Sequence, residues 1–268
     1  MVARALTQPW GIDLFCLGRK FLVFNLVSRN LKIKFRRSFL GLFWTLLGPF
    51  LSALIYYYVF KVIIKVQTPH YIVYILSGIL PWTFFASTSV EGMDGIVGNQ
   101  SLITKVPIPL QVFAYVGSLT NLVTLLFAFP IILGVAVLDG IPFGPSCLLV
   151  LPWLVLLFLQ TYGISILLSV AFVYLRDLKH AITFLLQILL YATPIFYDLS
   201  MVPAHLRWTL YLNPIGLSVT GIRDAIFGNS FAADSLAHSV AATAWTLFLL
   251  GLGSWVLGRY GRNIAERI

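Results

Sequence analysis

The chain has 268 residues, of which 59% are hydrophobic and only 10% charged, with a formal net charge of +9. Soluble domains carry about 25% charged residues, so a chain this apolar cannot hide its surface in a core of its own; a soluble globular protein is excluded and one integral membrane domain accounts for the length. The positive charge does not point to nucleic acid, because it partitions by membrane side.

Residues 1–37 are expected to form a cytoplasmic, interfacial segment and residues 38–268 the transmembrane domain. No signal peptide is expected, because residues 1–30 contain Arg4, Arg19 and Lys20 but no short apolar core followed by a small-residue cleavage site. Residues 12–37 mix Phe15, Phe21 and Phe24 with Arg19, Lys20, Arg29, Lys32, Lys34, Arg36 and Arg37. At helical spacing Arg29, Lys32 and Arg36 share a face, which suits a basic helix lying on the cytoplasmic leaflet. The run 31–36 also alternates with period two, which argues against one continuous helix.

Six spans follow. The first, 40–64, contains Gly41, Gly48 and Pro49, which permit close packing or a kink; Tyr56, Tyr57 and Tyr58 lie towards its outer end. The second, 71–97, holds Pro81 and Trp82, with Glu91 and Asp94 near its cytoplasmic end. The third, 108–138, is long enough to tilt or to break at Pro130, and 139–142 form an outer turn. The fourth spans 147–174. A charged turn, Arg176-Asp177-Leu178-Lys179-His180, precedes the fifth, a largely apolar run at 181–197 whose length of about 17 residues is near the minimum for a crossing helix. The pieces 204–212 and 215–227, punctuated by Pro203 and Pro214, are too short to cross and too apolar for a free loop; they read as re-entrant half-helices. The sixth span is 240–257. Of the 18 Lys and Arg residues, only Lys61, Lys65, Arg207 and Arg223 fall on one side, leaving fourteen on the other. The positive-inside rule then places both termini in the cytoplasm. Trp44, Trp82, Trp153, Trp208 and Trp255 are expected at the interfaces.

The dipeptide Gly-Lys never occurs, so a phosphate loop of the usual type is excluded, and ATP-driven work needs a separate subunit. The four histidines, His70, His180, His205 and His238, stand apart without metal-ligand spacing. No serine sits in a nucleophile elbow, and Cys16 and Cys147 fall on opposite sides, where they should not pair. Glu91 and Asp94, three apart on one helix face, are the unusual carboxylates, since acids within a span are costly and often functional. They bridge to a cytoplasmic element, relay protons, or, if the second span ends near Val90, simply face water.

The charged turn 176–180, a helix ending in Thr193-Pro194-Ile195-Phe196-Tyr197, then Val202-Pro203, Leu212-Asn213-Pro214 and Arg223-Asp224-Ala225-Ile226-Phe227 resemble the second half of ABC-2 type permeases that export polysaccharides. The stretch 35–50 resembles the start of that family's first transmembrane helix, and the resemblance covers nearly the whole chain after residue 30. It implies an all-α, polytopic membrane subunit of an O-antigen or teichoic acid exporter, with related permeases moving small hydrophobic molecules. Two copies would form the pore, and two copies of a cytoplasmic ATPase, which binds the ATP and Mg, would drive it; no cofactor is expected in this chain itself. The implied substrate is a glycan on a polyprenyl-pyrophosphate lipid, at the bacterial inner membrane. A rival reading, a membrane-embedded lipid-linked sugar transferase, needs clustered acidic residues at one face, and here they are few and scattered.

Four groups of residues acquire expected roles. Arg29, Lys32, Arg36 and Arg37 would attract the pyrophosphate, since arginine forks suit phosphate oxygens. Tyr56, Tyr57 and Tyr58 would stack on sugar faces in the pore. Pro203, Asn213 and Pro214 would close the outer mouth. The connection 98–109 resembles the coupling helix that docks on the ATPase. In it Ser101 would cap a short turn, Leu102 and Ile103 would fill an apolar cleft, and Lys105 would meet an acidic rim.

Overall fold

The computed structural model describes residues 16–35, 42–106, 108–142, 144–228 and 235–267, and every regular element among them is helical. After a short 3-10 turn, α1 (Lys20–Phe35) leads to α2 (Leu42–Tyr56), which runs on into a π-helical stretch, Tyr57–Ile63. The widening is visible at its end, where the Ile64 N–H donates to the carbonyl of Val59, five residues back, at 2.9 Å. Then come α3 (Tyr71–Val97), the one-turn α4 (Gln100–Ile103), α5 (Gln111–Leu138), a 3-10 turn, Pro145–Leu149, and α6 (Val150–Tyr174). The last part holds α7 (Leu178–Ala192), 3-10 helices Leu199–Met201 and Ala204–Leu212, α8 (Pro214–Phe227) and α9 (Ser235–Arg267).

Among the described residues four helical stretches have the length and apolarity to cross a membrane: Tyr71–Val97, Gln111–Leu138, Pro145–Tyr174 and Leu236–Gly261. Two shorter apolar helices, Leu47–Ile63 and Leu178–Ala192, stand where the first and fifth spans are expected. The fifth is shorter than the run 181–197 for a local reason. Thr193 adopts extended backbone before Pro194, the conformation a residue preceding proline favours. The two pieces expected beyond it are both helical but differ in kind. The first, Ala204–Leu212, is a 3-10 helix and largely exposed, whereas α8 is an α-helix buried from Ile215 to Ile226. Asn213 caps α8 by accepting from the Gly216 N–H at 3.0 Å, Pro214 occupies its first turn, and Gly228 ends it with a φ of 73°.

The centre of the bundle is α3, which packs against α2, α5, α6, α7 and α8 and is buried along most of its length. Trp82 belongs to this core rather than to an interface; it is 5% exposed and meets Phe85 edge-on. A second apolar cluster joins Val23 and Leu26 of α1 to Ile96, Ile103, Phe113, Tyr162 and Leu257. It marks the end of the bundle that carries α1, α4 and the turn 176–177, called the basic end below; the turns 139–145 mark the far end. On α1, Phe21 and Phe24 stand exposed on the same helix as exposed Arg29 and Lys32, a surface that suits a lipid–water boundary.

Apolar helices gain little from each other in lipid except by close packing, which favours small residues at the contact. The pair α6 and α9 follows this rule. A Cβ on Gly163 would lie 2.9 Å from the backbone carbonyl carbon of Leu249, and one on Gly253 would lie 3.2 Å from the Gly163 carbonyl oxygen. Gly163→Ala is therefore expected to destabilise the fold by about 1–3 kcal/mol through overpacking, read as a lowered melting temperature in detergent. Gly134→Ala, where a Cβ meets nothing within 4 Å, should leave it unchanged.

Candidate functional site

At the far end a buried cation gathers three helices. Arg223 on α8 is 1% exposed. Its Nη1 donates to the carbonyl of Pro194 at 2.7 Å, and its Nη2 to those of Tyr74 at 3.2 Å and Ile195 at 3.3 Å. The guanidinium also lies over the Tyr74 ring, 3.5 Å from its centroid. The segment that receives these bonds, 193–197, is held by further donors. Tyr71 Oη reaches the Phe196 carbonyl at 2.7 Å, Tyr74 Oη that of Tyr197 at 2.6 Å, and Asn213 Nδ2 the Thr193 hydroxyl at 2.8 Å. Gly78 leaves the room, since a Cβ there would come within 2.9 Å of Arg223 Nη2. The two sequence motifs at 193–197 and 223–227 are thus bonded to each other across α3.

The residues expected to close the outer mouth connect to this knot. Asn213 links it to the start of α8, Pro214 opens that helix, and Pro203, exposed, begins the 3-10 helix Ala204–Leu212. The tyrosines divide. Tyr56 packs on Phe196 with ring centroids 4.3 Å apart, and Tyr57 faces Tyr71 at 6.4 Å. Both therefore serve the aromatic wall around the knot, and only Tyr58, 59% exposed, presents its ring outward.

At the basic end, α3 continues past Val90 to Val97, and its two carboxylates each hold another element. Lys34 Nζ on α1 lies 3.0 Å from Glu91 Oε1 and donates to Asn121 Oδ1 on α5 at 2.7 Å; Asn121 Nδ2 donates to Glu91 Oε2 at 2.8 Å, closing a ring of three. One helical turn on, Asp94 accepts from Lys179 Nζ at the start of α7 at 2.5 Å. Both pairs are partly solvated, so each contributes about 1 kcal/mol or less. Arg29 Nη2 donates to Asn99 Oδ1 at 3.0 Å, just before α4. Lys32 points to solvent, and Arg36 and Arg37 lie outside the described residues. The structure therefore brings Arg29 together with Lys34, a residue absent from the expected set.

The connection after α3 is helical, but its turn starts earlier than Ser101, with Asn99 at the N-cap position, and α4 comprises Gln100–Ile103. Ser101 and Lys105 are exposed and Leu102 half-buried. Ile103 is 6% exposed and belongs to the chain's own second cluster, so it is not available to fill a partner's cleft. Val106, 44% exposed, stands beside Leu102, whose carbonyl accepts from the Val106 N–H at 3.0 Å. Among the described residues no three His, Cys, Asp or Glu side chains gather closely enough to hold a metal ion.

Lys34, Asn121, Lys179, Tyr71, Tyr74 and Arg223 were not singled out by sequence reasoning. Their hydrogen-bond partners lie 57 or more residues away, except where Asn121 meets Glu91, 30 residues off, and where Arg223 meets the turn at 194–195, so spacing carries no trace of the pairs. Arg223 alone had a signal, as a cation inside an otherwise apolar stretch.

The profile of the ABC-2 type transporter family matches residues 22–227. An O-antigen export system permease protein of Myxococcus xanthus is 32% identical over 253 residues, covering 92% of this chain and 95% of the relative. One from Klebsiella pneumoniae is 27% identical over 88% of this chain and 92% of its own length. A polysialic acid transport protein of Escherichia coli is 25% identical over 86% of this chain and 91% of its own length.

Arg223→Lys keeps a charge but loses the planar fork, leaving buried carbonyls at 194–195 without donors; unsatisfied buried groups cost about 1–3 kcal/mol each. The expected outcome is a lowered melting temperature with faster hydrogen exchange confined first to 193–198. The exposed Arg207, bonded to the Val202 carbonyl at 3.1 Å, should tolerate the same change.

Proposed function

The chain belongs to the ABC-2 type transporter family, and from that premise we propose that it is the permease of an ABC exporter that carries a polyprenyl-pyrophosphate-linked polysaccharide of the O-antigen type across the bacterial inner membrane. The observation that supports this most is that relatives aligned along nearly their whole length are named for O-antigen export and for polysialic acid transport. Since the sequence lacks a phosphate loop, the proposal includes a separate cytoplasmic ATPase that binds ATP and Mg. It also includes a homodimer, because one bundle of this size is small for a glycan path.

In this reading the chain crosses six times. The crossings are α2 with its π-helical extension, α3, α5, α6, α7 with the returning pieces 204–212 and α8, and α9. The basic end, both termini included, faces the cytoplasm. Arg29 and Lys32, with Arg36 and Arg37, attract the pyrophosphate, and Tyr58 meets the sugar. Pro203, Asn213 and Pro214 belong to the outer closure. Ser101, Leu102, Lys105 and Val106 meet the ATPase.

Deleting the gene should strip polysaccharide from the cell surface while lipid-linked polymer accumulates inside, detected by lectin staining of intact against lysed cells. Surface glycan at the normal level would favour a small hydrophobic cargo instead.

The coupling face generates a second expectation. Leu102→Ser combined with Val106→Ser should release the ATPase from the purified complex while the permease keeps its melting temperature. Ile103→Ser, buried in the permease itself, should instead lower that temperature by an amount corresponding to about 2–5 kcal/mol.

A further inference from the structure

Side-chain bonds sort the helices into two groups. Glu91 and Asp94 tie α1, α5 and α7 to α3. In the other group Gln160, on α6, accepts from the Ser218 hydroxyl of α8 at 2.8 Å and donates to the Ala242 carbonyl of α9 at 3.1 Å. At the far end the Arg223 knot bonds the two groups to each other. Further along they meet where α3 packs on α6. These two helices run parallel: Val150, Leu154 and Leu157 share a cluster with Tyr71 and Val73, whereas Tyr162 and Ile166 share one with Ile96. At Gly92 the helices touch so closely that a Cβ there would collide with Ser165 Oγ. One turn nearer the far end, Thr88 and Ser89 lie on the Gly92 side of α3, and Thr161 lies on the Ser165 side of α6.

Thr88, Ser89, Thr161 and Ser165 are 0% exposed, and among the described residues their hydroxyls have no hydrogen-bond partner. A buried hydroxyl is normally bonded, and elsewhere in the chain it is. Those of Ser118, Thr120, Ser169, Thr220 and Thr246 donate to the carbonyl three or four residues back at 2.7–2.9 Å. The unpaired hydroxyls are thus gathered at one contact, two from each helix. We propose that the α3–α6 contact is a slip plane with two registers, and that the two helix groups pivot there about the Arg223 knot. In the register described here the four hydroxyls are unpaired. A shift of α3 along α6 by about 1–5 Å pairs the hydroxyls of one helix with those of the other. Small side chains keep the helices in contact while they slide, and none of these hydroxyls bonds across to hold them. The far end cannot follow, because there Arg223 grips backbone on both α3 and the turn 194–195. The pairing gained offsets the packing lost, so both registers are populated. The inference goes beyond the exporter reading, since it concerns the motion of one subunit whatever that subunit carries.

The test measures distances by pulsed electron resonance on the full chain in phosphatidylcholine nanodiscs, with Cys16 and Cys147 replaced by Ser. Spin-labelled chain is diluted with unlabelled chain, so that only distances within one subunit count. One pair of labels, on Lys105→Cys and Arg259→Cys, joins the two groups at the basic end; the other, on Leu138→Cys and Leu236→Cys, joins them at the far end. All four positions are exposed. The basic-end pair should give two distances about 2–5 Å apart and the far-end pair a single one. Combining Thr88→Val, Ser89→Ala, Thr161→Val and Ser165→Ala removes the cross-helix pairing and the unpaired hydroxyls together. It should leave one basic-end distance and raise the melting temperature. Thr161→Val alone, a milder change, should shift the ratio of the two distances about two- to tenfold towards the register described here. Thr120→Val, whose hydroxyl is bonded within its own helix, should leave that ratio unchanged. A single basic-end distance in the unsubstituted chain overturns the proposal. So does a far-end distance that splits as well, or a ratio that Thr161→Val moves no more than Thr120→Val does.

Discussion

The constraint on which the far end depends is the burial of the Arg223 guanidinium. A cation taken out of water must find charge or dipoles to replace its hydration, or several kcal/mol are lost. Here the replacements are three carbonyl oxygens and an aromatic face. Two of these carbonyls, those of Pro194 and Ile195, are within reach because α7 has ended at Ala192 and the chain turns towards Arg223, and the third, that of Tyr74, lies in the first turn of α3. The guanidinium needs a gap beside α3, which Gly78 provides. The turn it grips must not rotate away, which Tyr71, Tyr74 and Asn213 prevent. One buried charge thus grips the turn at which Pro194 ends α7, fixes the seat of α8 and requires the small residue on α3.

The basic end follows a different principle. Its polar contacts are half-solvated side-chain pairs, individually weak, and each ties a separate element to one turn of α3: α1 through Glu91, and α7 through Asp94. α4 is attached by a single turn whose buried residue, Ile103, faces the protein. Strong backbone-directed bonds at one end and exchangeable ion pairs at the other give the bundle a fixed pole and an adjustable one. A transporter driven from one side has use for both. In the function proposed above, the fixed pole would belong to the outer closure and the adjustable pole would receive the push of an ATPase.

Much of the architecture was legible in the sequence because lipid imposes simple rules. Long apolar runs give helices, and the helices at 71–97 and 111–138 coincide with the expected second and third spans within a few residues. Proline punctuation pointed to the two pieces at 204–212 and 215–227, and the structure has helices at Ala204–Leu212 and Pro214–Phe227 with Asn213 between them. What spacing could not show was which polar groups meet. Lys34 and Glu91 are 57 residues apart, and Lys34 looked like one more member of a basic face. Tyr56 and Tyr57 looked like a pore stripe, yet once the helices are packed their rings meet Phe196 and Tyr71. Ile103 looked like a docking residue because apolar side chains in a short loop invite that reading; its partners on α1, α3 and α5 are visible only once the helices are assembled.

The most direct measurement is ATP-driven movement of substrate in liposomes that hold the chain and its cytoplasmic ATPase. The ATPase should be on the outer face, where ATP is added, and the polyprenyl-pyrophosphate-linked glycan accessible from that same face. Adding ATP should render the glycan inaccessible to an external glycosidase, and liposomes lacking either subunit should show no protection. Steady ATP hydrolysis with the glycan still fully exposed, or protection that develops without the ATPase, would contradict the proposed export.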